Sequence, residues 1–136
     1  MRPISSGRRG PPWLRVNADY SKRNVAAQDG DPASVLNTYR ALLRLRHDSL
    51  ALRRGTTRFV VKRPVEGLAY LRVSPEQTML VALNFFGWAI DLKLDGPLPA
   101  DHWHLKYSTA DSDVPRIMGN RMRLQPFEAV ILEAAR

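Results

Sequence analysis

The spacing of apolar positions along the chain changes near residue 55. From residue 35 to residue 45 the apolar side chains recur three and four residues apart, which is helical spacing: Val35, Leu36, Tyr39, Leu42, Leu43 and Leu45. Asp31-Pro32 precedes them and is a helix start signal, because Asp accepts from free backbone N–H groups and Pro loses nothing at the first helical position. We therefore predict a helix over residues 32–47, followed by a short helical turn over residues 49–53 that ends at Gly55.

Beyond residue 55, short apolar runs separated by turn residues predict β-strands. The expected strands are residues 56–62, 68–73, 79–85, 89–94, 102–107, 122–124 and 129–133. Strands this short, separated by Gly, Pro, Asn and Asp, are typical of antiparallel sandwiches and barrels. We expect a mainly β fold, an antiparallel β-sandwich of about seven to eight strands. Alternation predicts an interior of Phe59, Val61, Tyr70, Leu80, Ala82, Leu83, Val130 and Leu132.

Positive charge is concentrated at the N-terminal end. The chain carries a net charge of +8, and residues 1–24 hold six basic groups and one acidic group, which leaves only +3 for the remainder. The same leader is rich in Pro and Gly and reads as a loop. A nucleic-acid-binding surface needs basic groups along a folded face, so this distribution makes a nucleic-acid partner unlikely.

The amino-acid composition narrows the classes of protein to which the chain can belong. The 136 residues, with 44% hydrophobic and 25% charged residues, fit one globular domain with or without an appendage. There are no cysteines, which excludes disulfides, zinc sites built on Cys and thiol catalysis. The sequence contains neither an apolar run of membrane-spanning length nor the apolar core of a secretory signal. We therefore expect a cytoplasmic protein.

Several phrases resemble the C-terminal end of the alpha-amylase family of glycoside hydrolases, in particular the alpha-glucosidases and oligo-1,6-glucosidases. The phrases run from residue 12 to residue 133: Pro12-Trp13-Leu14-Arg15-Val16-Asn17, Asn24-Val25-Ala26-Ala27-Gln28, Asp31-Pro32-Ala33-Ser34-Val35-Leu36, Gly67-Leu68-Ala69-Tyr70, Leu80-Val81-Ala82-Leu83-Asn84-Phe85 and Leu124-Gln125-Pro126-Phe127-Glu128-Ala129-Val130. Ala18, where the family usually has Pro, and Asp48-Ser49, where it usually has His-Pro, are departures.

The resemblance implies three parts. Residues 1–30 would be a basic leader and loop, residues 31–54 the last helix of a (β/α)8 barrel with a short helical turn, and residues 55–136 the β-sandwich domain that follows the barrel. The family uses an Asp nucleophile and a Glu acid/base on barrel strands. No residue here matches either group. The resemblance therefore implies a non-catalytic fragment that supports the barrel of an enzyme cleaving α-glucosidic bonds.

Other catalytic and metal-binding candidates are weaker. His102 and His104 share a strand face and could hold one metal, but no third ligand is evident. Asp111 and Asp113 resemble part of a calcium loop without its Gly and Glu. Glu66, Glu76, Asp95 and Asp101 each lie within two residues of Pro or Gly in predicted turns. Ser5 and Ser6 lack a His-Asp context, and the segment from Gly7 to Gly10 is no phosphate loop. We expect no catalytic, metal or cofactor-binding residue.

Two partner hypotheses remain open. The helix residues Val35, Leu36, Tyr39, Leu42 and Leu43 would face the missing barrel, so we expect either that barrel as the partner or self-association. The alternative is a small autonomous binding module for a carbohydrate or an anionic ligand. In that case sugars would stack on Trp88, Trp103, Tyr70 or Tyr107, although core packing is the commoner role of such aromatics.

Overall fold

The structure, a computed structural model, describes residues 14–61, 67–110 and 117–135. The chain divides into two units, residues 1–40 and residues 41–136. The boundary falls inside a helix. The three-part division expected from the sequence stays a prediction.

The first unit contains a short helix and the start of a long one. Helix α1 (Val25–Asp29) begins at Asn24, whose side-chain oxygen accepts a hydrogen bond from the Ala27 N–H at 2.8 Å. This capping uses one of the backbone donors that a helix leaves free in its first turn. The sequence was not expected to form a helix here, because five residues are too few to show a period.

Helix α2 (Val35–Asp48) confirms the predicted amphipathic helix but begins three residues later than expected. Asp31 does accept from the Ala33 N–H at 3.0 Å, as a turn residue. Ser34 takes the capping role, because its hydroxyl accepts from the Asn37 N–H at 3.2 Å. The Asn37 side chain then donates to the carbonyls of Gln28 and Asp31, at 2.9 and 2.8 Å, and so ties the preceding loop to the helix.

The second unit begins with the rest of α2 and helix α3 (Leu50–Arg54). Ser49 caps α3 by accepting from the Leu52 N–H at 3.1 Å. Gly55 ends it, and its N–H donates to the Ala51 carbonyl at 2.9 Å. A Cβ at Gly55 would lie 2.5 Å from that oxygen and 2.8 Å from the Val73 oxygen, so only glycine fits.

Eight antiparallel strands follow within the described residues and form two sheets. They are β1 (Thr56–Phe59), β2 (Leu68–Val73), β3 (Thr78–Leu83), β4 (Ile90–Lys93), β5 (Trp103–Ser108), β6 (Ile117–Met118), β7 (Arg121–Leu124) and β8 (Ala129–Ala134). The larger sheet has the order β1-β2-β3-β8-β5 and the smaller one β4-β7-β6. The predicted mainly β sandwich is confirmed. Strand β6 was not predicted, because two residues carry no readable alternation.

The core lies between the two sheets. Leu71 pairs with Leu80, and Leu80 with Leu132, so consecutive strands of the larger sheet present a row of buried leucines to the core. The smaller sheet contributes Leu92 and Leu124 to the same cluster. Of the predicted interior, the four residues Leu80, Ala82, Val130 and Leu132 are buried. Leu83 and Val61 are only half-buried.

The predicted inward direction of Phe59 is wrong. Its side chain is 66% exposed, whereas Val60 beside it is 1% exposed and belongs to the core. Phe59 pairs with the half-buried Tyr70, and the two rings meet edge to face with centroids 6.0 Å apart. Ala69 and Leu71 take the inward positions on β2 that Tyr70 was expected to share. Both strands are therefore turned over by one residue relative to the prediction.

No helix in the described ranges is long and apolar enough to cross a membrane. The cytoplasmic location expected from the sequence stays a prediction.

Candidate functional site

Helix α2 presents an exposed apolar row, which consists of Val35, Tyr39 and Leu43. These residues are four apart, so they follow one another along the same side of the helix. Their side chains are 73%, 64% and 58% exposed. Over its whole described length, residues 35–48, the helix contains no buried residue. A helix in a globular protein is ordinarily stabilised by burying its apolar stripe, and this row is uncovered.

The first unit is similarly poor in buried apolar groups. Leu14, Val16, Tyr20 and Val25 are all at least half exposed, and Ser34 is the buried residue among those described from 14 to 40. Hydrogen bonds and an ion pair between Arg40 and Asp29 hold this unit in shape. Polar contacts of this kind contribute little net stability when exposed.

In the second unit, a polar network joins α3 to the outer face of the larger sheet. Ser49 Oγ donates to Gln77 Oε1 at 2.7 Å, and the Ala51 N–H donates to the same oxygen at 3.1 Å. Gln77 Nε2 donates to Glu133 Oε1 at 2.6 Å. The Lys106 ammonium lies 3.1 Å from the other carboxylate oxygen of Glu133. Through Gln77, a helix cap and two strands share one set of hydrogen bonds.

A cleft of about 660 Å³ lies beside this network and is lined in part by Asp48, Glu76, Gln77, His104 and Glu133. The hydrogen bond from Gln77 is the largest influence on the Glu133 carboxyl and holds its pKa below the ordinary value of 4.5. Burial acts in the opposite direction, and the positive charge of Lys106 supports the lowering. A carboxyl group with a lowered pKa is poorly suited to act as a general acid, which needs a raised pKa.

A third feature is a group of aromatic residues on two hydrogen-bonded loops, Phe85, Phe86, Trp88 and Phe127, named here the aromatic patch. Phe85, Trp88 and Phe127 are 63%, 62% and 68% exposed. Phe86 stacks on Trp88 with ring centroids 4.8 Å apart and an angle of 24° between the planes. The patch is built on two loops, residues 84–89 between β3 and β4 and residues 125–128 between β7 and β8.

Asn84 holds the two loops together. Its side-chain nitrogen donates to the Trp88 and Gln125 carbonyls, both at 2.7 Å, and its oxygen accepts from the Phe86 N–H at 2.9 Å. The Phe127 N–H donates to the Phe86 carbonyl at 2.9 Å. The Asn84 side chain is 4% exposed, so these bonds are shielded from water. The patch therefore rests on a fixed backbone.

The histidine pair predicted as a possible metal site lies on one side of the chain, with His104 in β5 and His102 immediately before it. His102 and His104 are both exposed, and Trp103 between them is buried, with its indole N–H donating to the Ala100 carbonyl at 3.1 Å. His104 pairs with Glu133 across the strands. Among the described residues no group of three or more His, Asp or Glu side chains is arranged to hold a metal ion.

The candidate carboxylates lie on separate turns. Glu76 is exposed between β2 and β3, Asp95 follows β4, and Asp101 is exposed before β5. The Asp95 N–H donates to the Val60 carbonyl at 2.7 Å, which gives this position a role in the fold. Glu66, Asp111, Asp113, Ser5, Ser6 and the Gly7 to Gly10 segment lie outside the described residues.

The proposed sugar-stacking aromatics separate into two groups. Trp103 is a core residue, and Tyr70 and Tyr107 are half-buried, in keeping with packing roles. Trp88 is exposed and belongs to the aromatic patch. Sequence reasoning missed Phe85, Phe86 and Phe127, because the hydrogen bond between residues 86 and 127 joins two loops that lie about forty positions apart in the sequence. The spacing Asn84-Phe85-Phe86-Gly87-Trp88 was the available signal.

Comparison with known proteins gives a consistent result. The oligo-1,6-glucosidase of Halalkalibacterium halodurans is 32% identical over 88% of the chain, and the alpha-glucosidase of Candida albicans is 32% identical over 87%. An isomaltulose synthase mutant from Erwinia rhapontici NX5, solved with D-glucose, superimposes over 94% of the chain with a TM-score of 0.79 and 28% identity. The chain covers 21%, 20% and 22% of these proteins, respectively. It matches no protein-family model.

This chain matches the C-terminal part of alpha-glucosidase-like enzymes of the alpha-amylase family. The resemblance expected from the sequence is thereby confirmed. The chain spans about a fifth of the length of the curated relatives that it matches.

In this alpha-glucosidase-like chain, several residues of the family phrases have clear structural roles. Asn24 caps α1, and Asn84 joins the loops of the aromatic patch. Glu128 is 4% exposed and accepts hydrogen bonds from the Ser108 hydroxyl at 3.0 Å and from the Gln125 N–H at 2.7 Å. Asn84 and Glu128 thus make buried polar contacts, which are costly to lose and position the loops.

Proposed function

We propose that the chain is the structural C-terminal domain of an alpha-glucosidase-like glycoside hydrolase and supports a catalytic barrel that lies outside these 136 residues. The parent enzyme would act on α-glucosidic bonds in oligosaccharides. The Asp nucleophile and the Glu acid/base would belong to the barrel, so this chain alone would not turn over an α-glucoside.

The exposed apolar row of α2 carries the proposal. Val35, Tyr39 and Leu43 form a continuous apolar stripe with nothing over it in the described part of the chain. An uncovered apolar surface of this kind is ordinarily a contact surface. In relatives about five times as long, the remainder of the enzyme supplies a natural cover for it.

The proposal predicts the behaviour of a chimera. The matching C-terminal segment of the Halalkalibacterium halodurans oligo-1,6-glucosidase is replaced by residues 14–136 of this chain, and activity on a chromogenic α-glucoside and the thermal midpoint are measured. We expect an active chimera. Tyr39→Ser and Leu43→Ser should each lower the midpoint by about 1–3 °C, since each removes roughly 1–3 kcal/mol of apolar burial at the contact.

Arg44→Ser is the matched control, because it also removes a long exposed side chain from α2, but on the opposite side of the helix. It should leave the midpoint of the chimera within about 0.5 °C. An effect of Arg44→Ser as large as that of Leu43→Ser would mean that the row does not contact the barrel. Turnover by the isolated chain, surviving repurification, would contradict the assignment of catalysis to the barrel.

A further inference from the structure

We propose that the aromatic patch is a binding surface for a neutral oligosaccharide, with the Trp88 indole as its main platform. This function goes beyond support of a barrel and rests on a different part of the molecule, so either proposal can fail without the other.

Most of the aromatic side chains of the patch are exposed. Three aromatic side chains that are each more than 60% exposed lie on two loops that are bonded to each other. Scattered apolar residues on a surface need no explanation, whereas a contiguous exposed patch indicates an interaction site. The core of this fold can accommodate a large aromatic ring, since it contains Trp103.

The Trp88 ring and the backbone beneath it are held by contacts within the patch. The stack with Phe86 covers one face of the Trp88 ring, and Trp88 as a whole is still 62% exposed. The backbone under the patch is fixed by the buried Asn84 side chain. A ring that is already held in place loses little conformational freedom when a ligand stacks on it, which favours binding.

The backbone at Phe127 supports the same conclusion. Phe127 has φ of 54°, in the left-handed region that side-chain-bearing residues rarely adopt. Its ring lies 3.4 Å from the position that a Cβ on Gly87 would occupy. The strained backbone and the absence of a side chain at Gly87 together place the Phe127 ring beside the 84–89 loop, although its exposure of 68% is unfavourable for stability.

The charge of the two loops indicates the class of ligand. The two loops contain one ionisable residue, Glu128, and its side chain is buried and hydrogen-bonded below the surface. The loops therefore offer no exposed charge to an anionic ligand. A pyranose ring presents a face of C–H bonds that carry partial positive charge, and this face complements the electron-rich face of an indole. A neutral sugar is thus the small-molecule class that this surface fits.

Titration of the isotope-labelled full chain with maltoheptaose tests the proposal. The three tryptophans give separate indole N–H signals, and we expect the Trp88 signal to move while that of the buried Trp103 stays in place. Dissociation constants in about the millimolar range are expected for one stacking platform. Absence of movement of the Trp88 signal at saturating sugar would overturn the proposal.

Variants separate stacking from general hydrophobicity. Affinities of the variants are read from the backbone amide signals of residues 84–89 and 125–128, because the Trp88 variants lack the Trp88 indole. Trp88→Ala, Trp88→Leu and Phe127→Ala should weaken binding by about three- to tenfold, and Trp88→Tyr should largely preserve it. Phe59→Ala is the matched control, since Phe59 is equally exposed but lies on β1, and its affinity should be unchanged. An unchanged Trp103 signal verifies the fold of each variant.

Two further outcomes would also overturn the proposal. If Phe59→Ala weakens binding as much as Trp88→Ala, the sugar contacts aromatics without selectivity. If Trp88→Ala lowers the mass of the chain in solution but leaves sugar binding unchanged, the patch is a protein–protein contact. Neither outcome bears on the α2 row, which these variants leave intact.

Discussion

Leu132 occupies the middle of the core. It is fully buried on β8 and pairs with Leu80 on one side and Leu105 on the other, so it contacts both halves of the larger sheet. Across the sandwich the cluster continues into Leu92 and Leu124 of the smaller sheet. Because the Leu132 side chain is enclosed on all sides, water cannot fill the space that a shorter side chain would leave.

We expect Leu132→Ala to destabilise the chain by about 2–5 kcal/mol, since it removes buried methyl groups and leaves a cavity. Urea unfolding followed by far-UV circular dichroism measures the change. Phe59→Ala serves as the comparison and should cost less than about 1 kcal/mol, because its ring is mostly exposed. Equal losses for the two variants would mean that the β1 and β8 faces are assigned incorrectly.

Individual core residues were predictable where polar and apolar residues alternate clearly, as at Leu80 and Ala82. They were not predictable at the end of β1, where Phe59 and the following Val60 and Val61 are all apolar and either parity is possible. The contacts that decide between them are tertiary. The Val60 N–H donates to the Ala69 carbonyl, and the Val60 carbonyl accepts from Asp95, a residue more than thirty positions away.

At the scale of elements, α3 is fixed to the sheet by the Gln77 network. The side-chain amide of Gln77 connects Ser49, the cap of α3, to the Glu133 carboxylate on β8. Because the pKa of Glu133 is lower in the folded state, ionised Glu133 stabilises the fold. This contribution is complete above the unfolded pKa and is lost as the pH falls through the lower folded pKa.

We therefore expect the chain to lose stability below about pH 4.5, and Glu133→Gln to flatten that loss. Urea midpoints measured between neutral and acidic pH for both proteins test this. The difference between them should be largest at neutral pH and should shrink on acidification. Asp91→Asn is the control, because Asp91 forms an exposed ion pair with Arg123 outside the network. A constant difference between wild type and Glu133→Gln at all pH values would contradict the assignment.

Most strands were predictable to within one or two residues, because Gly, Pro, Asn and Asp separate them in the sequence. The pairing of strands was not. The smaller sheet joins β4 to β7, and the larger one inserts β8 between β3 and β5, so sequence neighbours often are not sheet neighbours. The aromatic patch escaped prediction for the same reason, since its two loops meet only after β3 and β8 have paired.

At the scale of the whole chain, residues 14–40 contrast with the sandwich. The sandwich surrounds a continuous apolar core, whereas the first unit exposes most of its large apolar side chains and depends on hydrogen bonds such as those of Asn37. Segments with few buried apolar contacts open locally at little cost in free energy.

We expect amide hydrogens in residues 14–40 to exchange faster than those of β3 and β8, or the chain to self-associate through the α2 row. Hydrogen exchange read by mass spectrometry, together with sedimentation velocity over a range of concentrations, distinguishes the two. Leu43→Ser should reduce any association, and Arg44→Ser should not. A monomeric mass combined with uniform protection from residue 14 onward would refute both expectations.

The position of β8 has a consequence for how the domain is made. This strand follows every other described strand in the chain, yet it lies between β3 and β5 in the finished sheet. On the ribosome, β1, β2 and β3 can pair in turn, but β5 has no partner in its sheet until β8 has emerged. Synthesis proceeds at about 5–20 residues per second, so β5 waits several seconds for that partner. The sandwich therefore closes last, when any polypeptide preceding it has already been translated and has had time to fold.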